Sequence, residues 1–275
     1  MSLRIQILGT AAAEGWPALF CACKPCQMAR QTGEKNVRSR ASLMINDNIK
    51  IDFNADSYYH LLKYGLDYSK LEHIVITHSH NDHLSVGELE YMRAPFAHGR
   101  TNETIDIWGS SDVANVIRNR YPDPQGKGMR LNEVQPYETV DLSGLPATPI
   151  TAMHKADELC LNWLFGPLDG AVLYTADTGL YGDAVWEFLA RVKLKMVISE
   201  CTFGFQGESD THLSVSGCRE MHRRMSGSGS LGSQTPFIIT HFSHNVGFLH
   251  EEIEERVADD GFIVAYDGMV IEVDV

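Results

Sequence analysis

Residues 77–84 read THSHNDHL, directly after the apolar run HIVI. His78, His80, Asp82 and His83 thus fall within six positions, a density that packing does not explain. Imidazole nitrogen and carboxylate oxygen are ligands that zinc, manganese and iron accept. In a tight loop leaving a strand, His78 and His80 can point one way and Asp82 and His83 the other. Such a loop would hold two cations on the order of 3.5–4 Å apart. Other apolar runs end in a polar residue of the same kind: Asp52 after IKI, His154 after ITAM, Asp177 after LYTA and His241 after FIIT. The chain must therefore fold so that several strand ends meet along one edge, where these side chains form a single constellation.

Strand-like runs alternate with helical patterns along the whole length. RIQILG, SLMIN with NIKID, HIVITHS, TIDIWG, ITAMH, AVLYTAD, KMVISE, PFIITH, FIVAY and MVIEV read as strands. Helices are predicted over 57–64, 85–94, 112–120, 183–192, 214–225 and 247–257. The last two strands meet at Asp267–Gly268, a dipeptide suited to a tight hairpin turn. The stretch SGSGSLGSQ at 226–234 reads as a flexible loop. These patterns predict one α/β domain over 1–275 with two sheets.

With 23 Lys and Arg against 36 Asp and Glu, the net charge is −13. That balance is unfavourable for gripping a long phosphate backbone, which rests on clustered cations; a small anion at a local site is still compatible with it. No stretch approaches 18 consecutive apolar residues, so no membrane span is expected. The opening MSLRIQILGT lacks the apolar core and cleavage site of a signal peptide, and a cytoplasmic protein is expected.

Of six cysteines, Cys21, Cys23 and Cys26 crowd into CACKPC. In a reducing compartment such a cluster reads as metal binding, a redox pair or free thiols before a disulfide. A structural zinc needs four ligands. No cysteine or histidine nearby supplies the fourth, and His244, three positions past His241, is the candidate. Cys160, Cys201 and Cys218 sit singly in apolar surroundings and read as small buried hydrophobes.

HSHNDH resembles the HxHxDH signature of the metallo-β-lactamase superfamily, and Asp52, His154, Asp177 and His241 follow in the superfamily's order over about residues 50–244. The resemblance implies an αβ/βα sandwich, two mixed β-sheets flanked by helices. It implies that His78, His80 and His154 bind one divalent metal, manganese or zinc, and that Asp82, His83 and His241 bind the second. Asp177 would bridge them, and Asp52 would orient the loop without touching metal. The stretch SECTFGFQGESDTHLSV is similar to the region of RNase Z and related phosphodiesterases that places an extra histidine at the scissile phosphate. There His212 would protonate the leaving oxygen and Glu200 would hold its ring, the two counting with Asp82 as catalytic residues.

FCACKPC together with HFSH looks like the PhnP-type phosphodiesterases of the carbon–phosphorus lyase pathway. That likeness implies a structural zinc on Cys21, Cys23, Cys26 and His244, in a cysteine-rich loop at about 15–30. It also implies hydrolysis of a small, cyclic ribose or nucleotide phosphodiester by an activated water, with no long nucleic acid or membrane as partner; relatives suggest a homodimer. Other branches stay open. A tRNA 3′-end endonuclease would share the His212 motif but needs a basic, extended surface. The branch that assembles pyrroloquinoline quinone has a degraded histidine motif. A thioester or lactam hydrolase would leave His212 without a role, and a metal-binding protein without chemistry would not need the full ligand set.

Overall fold

The computed structural model describes residues 1–207 and 209–275. Two seven-stranded sheets face each other, and the chain builds them in succession. The first takes β1 (Ser2–Gly9), β2 (Ser42–Ile45), β3 (Ile49–Ile51), β4 (His73–Val75), β5 (Ile105–Gly109) and β6 (Met129–Glu133). The second takes β7 (Val140–Leu142), β8 (Leu145–Thr151), β9 (Leu161–Phe165), β10 (Ala171–Tyr174), β11 (Leu194–Glu200), β12 (Phe237–Thr240) and β13 (Ile263–Val264). A final strand, β14 (Val270–Asp274), returns to the first sheet and pairs antiparallel with β1. Each sheet joins an antiparallel part to a parallel one: β3 to β6 run parallel in the first, β10 to β13 in the second.

The burial explains the layering. Between the sheets lie Ile5, Ile45, Ile51, Trp163, Phe165, Val172, Ile198 and Ile238, all essentially inaccessible. The outer face of the second sheet is covered by α1 (Lys24–Thr32), α4 (Asp183–Leu189), α5 (Val215–Gly227) and α6 (His250–Val257), which contribute Ala29, Leu189, Met221 and Ile253 to a second core. On the other side, α3 (Ser111–Arg120) buries Val113 and Ile117 against the first sheet, and α2 (Ser57–Tyr64) packs Tyr64 there. Strands β10 and β12 are buried on both faces, which is why AVLY and FIIT carry no polar alternation. Among the described residues no helix is long and apolar enough to cross a membrane.

Four local expectations are corrected. The segments around Asp267–Gly268 do not form a hairpin, because β13 pairs with β12 and β14 with β1, in different sheets. An Asp-Gly pair marks a sharp turn but carries no information about pairing. Here the half-buried Asp267 carboxylate accepts from Thr10 Oγ1 (2.7 Å) and from Ser39 N and Oγ (both 2.6 Å), and ties the crossing to the first sheet. Residues 86–92 form a 3₁₀ helix instead of the α-helix predicted over 85–94. Helix α1 went unpredicted: Pro25 stands in its first turn, a position proline favours, inside a stretch read only as a cysteine loop. Strands β6, β7 and β9 also went unpredicted, and LNWLF of β9 lies fully buried in the second sheet.

One buried charge has a measurable consequence. Lys50 Nζ lies within β3 and donates to Ser42 Oγ at 2.6 Å. Burial pulls its pKa down to about 7, against the opposing charges of Asp52 and Asp56. The unfolded chain therefore binds more protons than the folded one between pH 7 and the ordinary lysine value, so stability rises with pH across that window. The slope reaches at most about 1.4 kcal/mol per pH unit. We expect Lys50→Met to remove that rise in urea midpoints measured from pH 7 to 9.5. Parallel curves for the two proteins would contradict the buried-lysine account.

Candidate metal centres

Strand β4 ends at Val75, and the loop that follows is held before it reaches its first histidine. Thr77 donates from its backbone N (2.9 Å) and Oγ1 (3.0 Å) to Asp52, which stands at the end of β3. Asp52 also takes the Nδ1 proton of His83 at 2.7 Å, leaving Nε2 of that ring to face the cluster. Farther along, Glu158 accepts from Ser79 N and Oγ, both at 2.7 Å, and so grips the residue between His78 and His80. Asp52 (φ 58°) and His241 (φ 59°) adopt left-handed backbone, a strained state for residues with a Cβ that packing imposes at this edge.

The ligand candidates fall into two groups that share one carboxylate. His78, His80, His154 and Asp177 place donor atoms within 4.8 Å of one another, and Asp82, His83, Asp177 and His241 do the same. Asp177 Oδ2 is 3.8 Å from His78 Nε2 and 3.5 Å from His154 Nε2. Its Oδ1 is 2.9 Å from His241 Nε2 and 3.3 Å from His83 Nε2, which in turn lies 3.2 Å from Asp82 Oδ2. His154 Nδ1 faces the carbonyl of Thr211 at 3.1 Å, so its Nε2 is the nitrogen turned to the cluster, 3.2 Å from His80 Nδ1.

A metal fits these residues chemically. Among the described residues His78 Nε2 is buried without a hydrogen-bond partner, 3.8 Å from Asp177 Oδ2, and is thus left available to a ligand at the cluster. Burial holds the His78 pKa well below its ordinary value and lowers that of His154, so both rings are neutral donors. At the other group burial is outweighed. Asp82, Asp177 and Asp52 raise His83 well above the usual range, and Asp177 raises His241 to about 8. Asp82 and Asp177 are correspondingly held low, against their burial, by His83 and His241. Without metal, protons balance these carboxylates; a cation does so when bound, with release of protons.

His212 belongs to the same edge. It precedes α5, whose N-terminus is capped by Ser214, and lies with its ring centroid 4.8 Å from that of His154. Its Nδ1 is 3.0 Å from Glu200 Oε1 at the end of β11. Burial would lower its pKa, but the hydrogen bond and charge of Glu200 prevail and raise it. The other oxygen of Glu200 accepts from Thr202 N and Oγ1, both at 2.8 Å, and Thr202 Oγ1 is 2.9 Å from His241 Nδ1. One buried carboxylate thus positions both His212 and, through Thr202, His241.

The cysteines form a separate cluster. Cys21, Cys23, Cys26 and His244 also place donor atoms within 4.8 Å of one another. His244 Nδ1 is 3.4 Å from Cys23 Sγ and 3.8 Å from Cys21 Sγ. Cys21 and Cys23 lie in the loop and Cys26 in the first turn of α1. A hydrogen bond from the Cys23 backbone leads in lowering the Cys21 thiol, whereas burial pushes Cys26 up to about 11. His241 and His244 therefore stand in different clusters. Cys160, Cys201 and Cys218 are buried apart from both.

The structure brings His78, His80, His154 and Asp177 together, Asp82, His83 and His241 beside the same Asp177, and Cys21, Cys23, Cys26 and His244 in a third group. Thr77, Glu158, Thr202 and Thr211 are positioning partners that the sequence did not disclose. Thr77 and Thr202 adjoin or nearly adjoin site residues in sequence, whereas nothing local marks Glu158. The metal groups open into a cleft of ≈ 450 Å³ that Glu14, Phe203, His212 and Asn245 help to line.

Residues 58–242 match the model of the Beta-lactamase superfamily domain. No curated protein matches the chain by sequence. Among solved structures, a new diphosphatase from the PhnP family is similar at 20% identity and TM-score 0.78, with 99% of this chain and 97% of that one covered. Zn(2+)-bound PqqB from Methylobacterium extorquens is similar at 15% identity and TM-score 0.74, covering 99% and 100%. The short form of human tRNase Z is similar at 15% identity and TM-score 0.67, also covering 99% and 100%. At such identities the likeness is one of fold.

Proposed function

Because the chain belongs to the beta-lactamase superfamily and has its metallo-hydrolase fold, we propose that it hydrolyses small phosphodiesters, in particular cyclic ribose phosphates or nucleoside 2′,3′-cyclic phosphates. The observation that carries this reading is the Glu200–His212 pair, 3.0 Å apart, directly beside the two donor groups. His78, His80 and His154 would hold one divalent cation, Asp82, His83 and His241 the other, and Asp177 both. When bound, such cations offset phosphate charge and activate water.

The chain's own residues supply the rest. Asp52 and Thr77 fix the His83 and His78 rings, and Glu158 fixes the backbone between His78 and His80. His212, kept protonated by Glu200, gives a proton to the leaving alkoxide. Glu200 holds Nδ1, so Nε2 is the atom presented to substrate. Cys21, Cys23, Cys26 and His244 would take a structural zinc that pins the N-terminal loop beside β12. Backbone pairing of Ala12 N with the Phe242 carbonyl (3.1 Å) and of Phe242 N with the Thr10 carbonyl (2.8 Å) already brings them together. The net charge of −13 supports a small substrate over a polynucleotide.

The test is hydrolysis, with manganese added, of bis(p-nitrophenyl) phosphate, a nucleoside 2′,3′-cyclic phosphate and precursor tRNA. Turnover of the small diesters without tRNA cleavage is the expected result. Inertness of metal-loaded protein toward both small diesters would refute the reading.

A further inference from the structure

We propose that a second cleft, on the side of His212 away from the metal donors, receives the leaving alcohol of the substrate and is built for a neutral, partly apolar one. The inference rests on the phosphodiesterase reading above and narrows it: the substrate carries one phosphate, and the group beyond the leaving oxygen is uncharged, as a nucleoside is.

The cleft measures ≈ 390 Å³ and is lined by Met153, Leu180, Ser209, Asp210 and Leu213 together with His212. His212 lines the metal-donor cleft as well, so the two spaces share this residue. A proton passes from His212 only to an oxygen within hydrogen-bond reach. The alcohol that owns that oxygen therefore projects past His212, and this cleft is the space beyond it.

The walls indicate what fits. Met153, next to His154, is 42% exposed, and Leu180, three positions past Asp177, is 38% exposed. They do not sit on a loose loop: Gly179 N donates to the Met153 carbonyl at 2.7 Å, and Thr178 Oγ1 accepts from Met153 N at 2.9 Å. Two apolar side chains held open at a site edge gain by covering the face of a base or a similar flat group. Ser209 and Asp210 offer hydroxyl and carboxylate oxygens suited to sugar hydroxyls and ring N–H groups. Among the described residues lining either cleft there is no lysine or arginine, while Asp210 and Glu14 are carboxylates. A second phosphate on the alcohol would meet like charge and no cation.

The experiment compares adenosine 2′,3′-cyclic phosphate with the same compound bearing a 5′-phosphate, on the metal-loaded protein. The scissile bond is identical, and only the charge on the nucleoside differs; that nucleoside carries the leaving oxygen and stays esterified through its other ring oxygen. Wild-type protein is expected to lose roughly ten-fold in kcat/KM on the phosphorylated compound, mostly through KM, the size that one unfavourable pocket contact commonly has. Leu180→Lys places a cation in the cleft and should shift the preference at least ten-fold toward the phosphorylated compound. Met153→Lys, on another part of the wall, should do the same. Binding of plain adenosine, measured by calorimetry, should weaken in both variants.

Equal turnover of the two compounds, or a preference that neither lysine variant moves, would overturn the inference and leave the phosphodiesterase reading standing. Metal-loaded protein that hydrolyses neither compound would overturn both.

Discussion

His212→Ala is expected to lose about 10²- to 10⁴-fold in kcat on a diester with a poor leaving group while binding its full complement of catalytic metal. The ring is not among the donor groups, yet its centroid is 4.8 Å from that of His154, so it can reach a phosphate held at the cluster without supporting the cluster itself. Glu200 favours its acid form: the hydrogen bond at 3.0 Å and the buried charge raise its pKa above the ordinary value, against burial. A general acid works while protonated, so activity should fall as pH rises through that raised pKa. Glu200→Gln keeps a hydrogen-bonding group but removes the charge, and the falling limb should move to lower pH. The loss should shrink for p-nitrophenolate, which leaves with little need of a proton. Normal kcat in His212→Ala on a cyclic nucleotide would remove its assigned role.

Cys23→Ser should lose one equivalent of zinc and lower the melting temperature, with the catalytic metals still bound. Cys23 Sγ lies 3.4 Å from His244 Nδ1, and the two residues are 221 apart in sequence. A clip across a loop of that length constrains the unfolded chain by roughly 3–5 kcal/mol, by analogy with a disulfide. In a chain of this size that corresponds to about 6–20 °C. The thiols alone offer no substitute. Burial lifts Cys26 to about 11, so in the absence of a cation it stays a neutral thiol in a poor position to bind anything. Activity should fall as well, because His244 lines the catalytic cleft and its Nε2 is 3.7 Å from Glu14, which accepts a hydrogen bond from Ser243, two residues past His241. Unchanged zinc content in Cys23→Ser would reject the structural site, whatever happened to activity.

The candidate ligands were legible because metal chemistry restricts residue type more tightly than packing does. A buried leucine can be exchanged for several neighbours, but HSHNDH admits few readings that do not involve a cation. Strand ends were legible for a related reason: β3, β4, β10 and β12 are short buried runs, and each stops at or just before the polar residue that breaks it. The resemblance to a superfamily then ordered these residues into two sets, and the geometry groups the same side chains. Strands β6 and β7 were not legible, because MRLNE is mostly polar and VDL only three residues long, and both gain their conformation from pairing with β5 and β8. Helix α1 was not legible because it begins inside the cysteine cluster and runs only nine residues.

Three results depended on the folded chain alone. Whether the strands flanking Asp267 pair with each other is a matter of which sheet edge is free, and β1 offered one to β14. That Glu200 serves His212 and His241 together rests on Thr202, a residue with no motif to announce it. The grip of Glu158 on Ser79, 79 positions away, likewise has no local signature. By itself the sequence determined which side chains can bind metal, since that is a property of each residue's own atoms. Which of them share a metal, which merely orient others and what lies beyond His212 were decided by the packing of the two sheets. Only packing brings residues hundreds of positions apart within a few ångström.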